Sequence, residues 1–172
     1  VIIGNSVSSI QNGAFNGTSG FTLCSYNNSV VSGFASANSI QYINLSAGWT
    51  LDNYALIAMN VPVYTTASVI NIYYSVEGKA SSLASKTGAV LASTDIVGTG
   101  CKLTVGGTVY TVMVKGDTNG DGKHSTADLL LIKSYLSGTD SALPSRAYRR
   151  AADFNGDNRI TTSDYLAIFR EK

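Results

Sequence analysis

The chain has 172 residues, with 12 Lys and Arg against 11 Asp and Glu, one His and a formal net charge of +1. A nearly neutral chain with scattered basic residues lacks the electrostatic surface of a nucleic-acid-binding protein. No apolar run reaches the roughly 18 residues that a membrane-spanning helix needs, so membrane insertion is not expected. A hydrophobic content of 44%, with 17 Gly and 10 Tyr, indicates a folded chain rich in strands and turns.

The chain opens at Val1 without the charged and then apolar segment of a signal peptide, so we expect it to be a piece of a longer protein. Its two cysteines, Cys24 and Cys101, lack the close spacing of a zinc site. The sequence leaves open whether they form a disulfide. We interpret a small basic cluster as a solvated helix face rather than a phosphate site: Arg146, Arg149 and Arg150.

Residues 1–47 contain short apolar runs separated by Gly and Asn, which predict strands at 21–24 and 40–45 and a helix at 30–37. Residues 9–17, Ser-Ile-Gln-Asn-Gly-Ala-Phe-Asn-Gly, resemble the end of a bacterial BspA-like leucine-rich repeat array. The resemblance implies one last repeat and its cap, which cannot bury an apolar face without further repeats. We expect this segment to be scaffold, with a ligand-binding surface as the alternative.

The longer β-type apolar runs of residues 48–115 predict a small β-rich domain, immunoglobulin-like or β-grasp-like. Gly106-Gly107 indicates a two-residue hairpin turn, and the aromatic residues, including Trp49, are expected to pack across strands rather than to stack on a sugar. A short helix is predicted at 80–86. The predicted strands cover 54–59, 69–76, 89–93, 101–105 and 109–114.

Two stretches of this region carry a second resemblance. Ile-Val-Gly-Thr-Gly at 96–100 and Tyr-Thr-Val-Met-Val-Lys-Gly-Asp at 110–117 resemble the X-modules that precede the docking module of cellulosomal proteins. The resemblance implies a domain that stiffens the junction with its neighbour or adds contacts to a partner.

The C-terminal region contains an internal repeat of two twelve-residue windows, 117–128 and 153–164. Each reads Asp-x-Asn-Gly-Asp and closes with Asp at position twelve, so six of the 11 acidic residues crowd into the two windows. Like charges crowd where a cation neutralises them. Ca²⁺ prefers about six to eight oxygen ligands, which a loop of this length can supply. The repeat therefore predicts two Ca²⁺ ions.

The predicted ligands of each loop are three carboxylates, one amide, one hydroxyl (direct or through water) and one backbone carbonyl. Position six needs a left-handed backbone, which suits Gly122 and is tolerable for Asn158. In the first loop the ligands are Asp117, Asn119, Asp121, Lys123 (carbonyl), Ser125 and Asp128. In the second they are Asp153, Asn155, Asp157, Arg159 (carbonyl), Thr161 and Asp164.

Each loop is expected to have only an exiting helix, at 129–136 and 165–170, with a short linking helix at 143–152 capped by Asp140 or Ser141. The segment before the first loop alternates like a strand, whereas Ca²⁺ sensors have helix-loop-helix pairs and Met-rich faces. A sensor is therefore disfavoured. An enzyme is also disfavoured, because the single histidine, His124, lies inside a loop and no catalytic set can be assembled around it.

Residues 116–172 resemble a dockerin, the module that binds cohesin domains on scaffoldins or cell-surface anchoring proteins of cellulosome-type complexes. The resemblance implies partner contacts from loop positions ten and eleven and helix positions seventeen and eighteen. In this chain they are Thr126, Ala127, Lys133, Ser134, Thr162, Ser163, Phe169 and Arg170.

The two candidate faces differ, so we expect one binding orientation, anchored by Phe169 and Arg170. His124, at position eight, is interpreted as a loop-pairing residue opposite Ile160. The chain is thus predicted to be an extracellular, bacterial, non-catalytic adaptor of multidomain α+β fold. The alternative is a Ca²⁺-stabilised structural or adhesion module without a cohesin partner.

Overall fold

A computed structural model describes residues 1–4, 6–44 and 49–170. The predicted boundary at 47/48, the end of the predicted strand at Leu45 and the last two residues of the chain lie outside the described residues. The chain divides into two compact units, Val1–Gly48 and Trp49–Lys172. The predicted boundary between 115 and 116 falls inside the second unit. Within the described ranges, no helix is long and apolar enough to span a membrane.

The first unit is a strand-helix-strand arrangement closed by parallel pairing: strand β1 (Thr22–Ser25), helix α1 (Ser29–Ala37) and strand β2 (Gln41–Asn44). The first residues add a third parallel rung, since Ile2 forms a bridge with Cys24. Asn28 caps α1 by accepting hydrogen bonds from the backbone of the first turn. Leu23, Val31 and Ala35 form the core. The predicted helix and strands are confirmed, while the leucine-rich-repeat assignment stays a prediction.

The second unit begins with a sheet region. Its elements are β3 (Thr50–Asp52), β4 (Ile57–Val61), α2 (Ala67–Val76), β5 (Ser81–Ala84), β6 (Lys102–Val105) and β7 (Thr108–Val114). The strands form one mixed five-stranded sheet in the order β3-β4-β7-β6-β5, in which β4 and β7 are parallel and the other neighbours antiparallel. Gly106 and Gly107 both have positive φ, as the predicted hairpin between β6 and β7 requires.

Three predicted elements of this region were wrong. Residues 69–76 were expected to be a strand but belong to α2, because burial of Ile70 and Tyr74, four residues apart, outweighs the local β-preference of Val and Ile. Residues 80–86 were expected to be helical, but β5 lies there and pairs with β6 at the sheet edge. Residues 89–93 contribute only an isolated bridge, between Val90 and Ala84, rather than a strand.

The C-terminal half of the second unit is helical and has its own core. Its elements are α3 (Thr126–Leu136), a 3-10 helix (Asp140–Ala142), α4 (Arg146–Ala152) and α5 (Thr162–Arg170). Helices α3 and α5 follow the two loops as predicted, but the linking helix α4 starts three residues later than expected, at Arg146 after Ser145. Leu143 precedes Pro144 and has a non-helical backbone, with φ of −123° and ψ of 81°, which is consistent with the later start.

Helix α4 packs against the sheet and connects the helical region to it. Ala151 packs with Ile57 and Met113, and its carbonyl accepts a hydrogen bond from the backbone N–H of Gly116 at 2.8 Å. Arg150 forms an ion pair with Asp52 of β3 at 2.9 Å. The interpretation of the arginine cluster as a purely solvated face was therefore wrong for Arg150. Its guanidinium links two elements that lie far apart in sequence.

This ion pair predicts a pH dependence of stability. The backbone N–H of Ala55 and the guanidinium of Arg150 hold the pKa of the Asp52 carboxyl below its usual range. A lowered folded-state pKa contributes stability above the unfolded-state pKa, and this contribution is lost as the pH falls through the folded-state value. We expect Asp52→Asn to be less stable than wild type at neutral pH in urea unfolding, with the gap closing as the pH falls through the lowered folded-state pKa of Asp52. A constant gap, or an equal response in the exposed control Asp140→Asn, contradicts this.

The two cysteines are buried free thiols, one in each unit. Burial raises the pKa of Cys24 and of Cys101. Both side chains therefore behave as small apolar groups at neutral pH.

Candidate metal centre and partner-binding face

The first loop is organised around the carboxylate of Asp117, which is fully buried. Its Oδ1 accepts hydrogen bonds from the backbone N–H groups of Gly120 (2.7 Å) and Asp121 (3.1 Å). Its Oδ2 accepts from Gly122 (3.0 Å) and from Thr99 (2.7 Å), which precedes the loop by 18 residues. Burial raises the pKa of Asp117, while the N–H donors act in the opposite direction. The loop backbone is thus wrapped around its first residue.

Asp128, at position twelve, ties the loop to helix α3. Its Oδ1 accepts from the backbone N–H groups of Thr118 (2.8 Å) and Asn119 (3.0 Å). Its Oδ2 accepts from the backbone N–H and the hydroxyl of Ser125, both at 2.8 Å. Ser125 is the N-cap of α3, and the two side chains form a reciprocal capping box. One buried carboxylate therefore fixes both the start of the loop and the start of the helix.

The second loop repeats this scheme. Asp153 accepts from the backbone N–H groups of Gly156 (2.9 Å) and Asn158 (2.8 Å). Asp164 accepts from the N–H groups of Asn155 (3.1 Å) and Thr161 (2.9 Å). The two loops therefore share their pattern of hydrogen bonds as well as their sequence pattern.

The backbone at position six is left-handed in both loops, with φ of 74° at Gly122 and 65° at Asn158. This confirms the expectation from sequence. The predicted linking helix, α4, ends at Ala152 as expected, immediately before Asp153. The second loop therefore has an entering helix, and the expectation that each loop has only an exiting helix was wrong for this loop.

The predicted metal ligands of each loop are all oxygen atoms, which suits a hard cation such as Ca²⁺. The amides of Asn119 and Asn155 each donate to the carboxylate at position five, Asp121 (2.9 Å) and Asp157 (3.0 Å). In residues 1–4, 6–44 and 49–170, no three His, Cys, Asp or Glu side chains gather closely enough to hold a metal ion. A Ca²⁺ site would therefore also draw on the amide, hydroxyl and carbonyl oxygens, and the assigned ligands stay a prediction.

The side chain of His124, in the first loop, contacts the second loop. Its Nε2 is 2.7 Å from the carbonyl oxygen of Lys115, and its ring meets Phe154 of the second loop edge-on, with centroids 5.8 Å apart. The ammonium of Lys115 lies 4.6 Å from the centre of the same Phe154 ring. The described contact across the loops is thus with Phe154 at position two, whereas the sequence predicted Ile160 at position eight.

The predicted partner contacts lie on helices α3 and α5. Seven of them are exposed, and Ser134 is half-buried. Sequence reasoning missed Leu130 and Leu166, whose side chains are 58% and 48% exposed. Helical periodicity provides the signal, because Leu130 lies four residues after Thr126 and four before Ser134. Each helix therefore adds an exposed leucine to the candidate face.

Residues 115–171 match the family model described as Dockerin type I domain. A dockerin is a non-catalytic module that binds cohesins in cellulosome-type assemblies, and dockerins generally bind calcium. No curated protein and no solved structure is significantly similar to the chain. The predicted dockerin is thus supported by the family match, which lies within the second compact unit.

Proposed function

We propose that the chain is an adaptor whose Ca²⁺-loaded dockerin anchors it, by binding a cohesin, in an extracellular, bacterial cellulosome-type complex. The cohesin would belong to a scaffoldin or to a cell-surface anchoring protein. The observation that carries the proposal is the pair of matching hydrogen-bonded loops, each leading into a helix, inside the region that matches the dockerin model.

Two Ca²⁺ ions would be held by the twelve predicted ligand residues, with Lys123 and Arg159 contributing carbonyl oxygens. When bound, each ion offsets most of the negative charge of the three aspartates in its loop. The protein's own part is to orient the helices. Asp128 is bonded to both ends of the first loop and caps α3, and Asp164 is bonded to both ends of the second loop at the start of α5. Through these hydrogen bonds, a well-ordered loop would hold the start of its helix in a fixed orientation.

The partner would bind the exposed faces of α3 and α5. Phe169 is 58% exposed and is followed by Arg170, while Lys133 and Ser134 occupy the same positions of α3. Exposed aromatic and Arg side chains often dominate binding energy. The unequal pairs favour one binding orientation, anchored by α5.

The remaining parts of the chain are assigned supporting roles. The sheet of residues 49–114 would act as an X-module that stiffens the dockerin, which the Arg150–Asp52 ion pair and the packing of Ala151 support. The parallel rungs of the first unit would be the end of a leucine-rich-repeat array.

One observation favours a second candidate, a Ca²⁺-stabilised structural module without a cohesin partner. The first loop is bonded to the sheet region through Thr99 and Asp117, so Ca²⁺ there would strengthen the unit whether or not a partner binds.

The test is calorimetric titration of Ca²⁺ into chelated protein, followed by a cohesin panel with Ca²⁺ and with chelator. We expect two ions to bind and one cohesin class to bind only with Ca²⁺. Two ions without any cohesin binding would favour the structural module, and no uptake would refute the calcium assignment.

The same cohesin panel tests whether the binding face is centred on α5. We expect Phe169→Ala and Arg170→Ala each to cost more than about 1 kcal/mol of cohesin affinity, with Lys133→Ala near neutral. Loss of binding only in Lys133→Ala would place the anchor on α3.

A further inference from the structure

We infer that the glycine-rich segment 96–100, which lies outside the dockerin match, is a positioning element of the first calcium loop and raises the Ca²⁺ affinity of that loop alone. This inference rests on the proposed calcium binding. It makes one of the two loops dependent on the sheet region and leaves the other independent of it.

The direct contact is the hydrogen bond from the backbone N–H of Thr99 to Oδ2 of Asp117, at 2.7 Å between two fully buried residues. Asp153, the counterpart of Asp117 in the second loop, has hydrogen bonds only from N–H groups of its own loop among those described. The first loop thus has an additional donor that holds its first carboxylate in place. Hydrogen-bonding partners of a metal ligand set its orientation and strengthen binding.

The segment itself is rigidly held. The hydroxyl of Thr99 donates to the carbonyl of Val114 (3.2 Å) and accepts from its N–H (3.0 Å). Gly100 donates to the carbonyl of Val112 (3.0 Å), and Val97 donates to the carbonyl of Thr65 (2.8 Å). Strand β7 and the loop after β4 therefore both fix the donor, so little entropy is lost when it orders the carboxylate.

Close approach of the two backbones depends on glycine. A methyl group added to Gly98 would lie 2.2 Å from the carbonyl oxygen of Gly120 and 2.8 Å from the nitrogen of Gly122. Gly98 does not have a positive φ, so glycine is needed there for space rather than for backbone conformation. Any side chain at this position would push the segment away from the loop.

The contrast between the two loops points the same way. A methyl group on Gly122 would lie 2.5 Å from Cγ2 of Ile96, whereas Asn158, at the same position of the second loop, is exposed and carries a full side chain. A methyl group on Gly120 would meet the carbonyl oxygen of Thr99 at 2.6 Å, but one on Gly156 would meet nothing within 4 Å. Close packing by segment 96–100 is therefore specific to the first loop.

The test uses each loop as the control for the other. Asp157→Ala disables the second loop and Asp121→Ala disables the first, so that Ca²⁺ titration reports one site at a time. We expect Gly98→Ala to weaken Ca²⁺ binding about 10- to 100-fold in the Asp157→Ala background and less than about twofold in the Asp121→Ala background. Equal weakening in both backgrounds, or none in either, would overturn the inference.

The matched control is Gly33→Ala in helix α1, where the added methyl has nothing within 4 Å and the backbone is not left-handed. It should leave both affinities unchanged. Wild-type protein that takes up no Ca²⁺ would refute the proposed function itself, which is a separate outcome.

A second measurement does not depend on Gly98→Ala folding. In the Asp157→Ala background, Ca²⁺ should slow hydrogen exchange of the Thr99 amide, read by NMR, because the ion orders its acceptor. In the Asp121→Ala background the Thr99 amide should not respond. A response in neither background, or in both, would refute the link between the segment and the first loop.

Discussion

Replacement of Asp128 by Ala is expected to abolish Ca²⁺ uptake at the first loop and, in chelator, to lower the free energy of unfolding by about 2–4 kcal/mol. The second effect follows because the buried carboxylate accepts hydrogen bonds from Thr118, Asn119 and Ser125. Its loss leaves buried N–H groups without their acceptor and breaks the capping box of α3. Calorimetry measures the number of ions bound, and urea unfolding in chelator measures the stability.

The control is Asp140→Ala, which removes an exposed acidic side chain outside both loops. It should retain two Ca²⁺ ions and change stability by less than about 0.5 kcal/mol. Unchanged Ca²⁺ uptake in Asp128→Ala would contradict the ligand assignment. Unchanged stability in chelator would instead contradict the role of this carboxylate in holding the loop to the helix.

Replacement of Ile132 by Ala is expected to destabilise the second unit by about 2–5 kcal/mol, because its side chain is fully buried between the helices. Leu130→Ala, two positions earlier on the same helix, should change stability by less than about 0.5 kcal/mol, since Leu130 is 58% exposed. Partner binding, measured under conditions where both variants are folded, should show the opposite pattern. Leu130→Ala should weaken cohesin affinity, while Ile132→Ala should affect it only by lowering the folded fraction.

The same pair exists on α5, where Ile168 is fully buried and Leu166 is 48% exposed. Ile168→Ala and Leu166→Ala therefore provide an independent repeat of the comparison by urea unfolding and binding titration. If Leu130→Ala and Leu166→Ala destabilised the protein as much as the two isoleucine variants, the exposed leucines would belong to the core rather than to the docking face.

Local sequence was sufficient for features that depend on neighbouring residues. The two loops were predicted from the repeated spacing of their aspartates. They form locally because the aspartates at positions one and twelve accept hydrogen bonds from backbone N–H groups of the same window, as Asp117 and Asp128 do. The left-handed backbone at Asn158 and the hairpin turn at Gly106 likewise follow from short-range conformational preference.

The failures occur where distant parts of the chain meet. Residues 69–76 have the β-branched composition of a strand, yet they form a helix that buries Ile70 and Tyr74 on one side. Arg150 looked solvated because its partner, Asp52, is 98 residues away in sequence.

Local sequence was enough to predict the paired loops, their exiting helices and the family resemblance of the C-terminal region, because most hydrogen bonds of each loop are formed within its own twelve residues. The difference between the two loops follows instead from tertiary contacts. Glycines at 98, 120 and 122 let the backbone of segment 96–100 pack directly on the first loop, while residues 155–159 of the second loop stay exposed. Such close approach depends on two segments meeting in space, which no periodicity along the chain encodes.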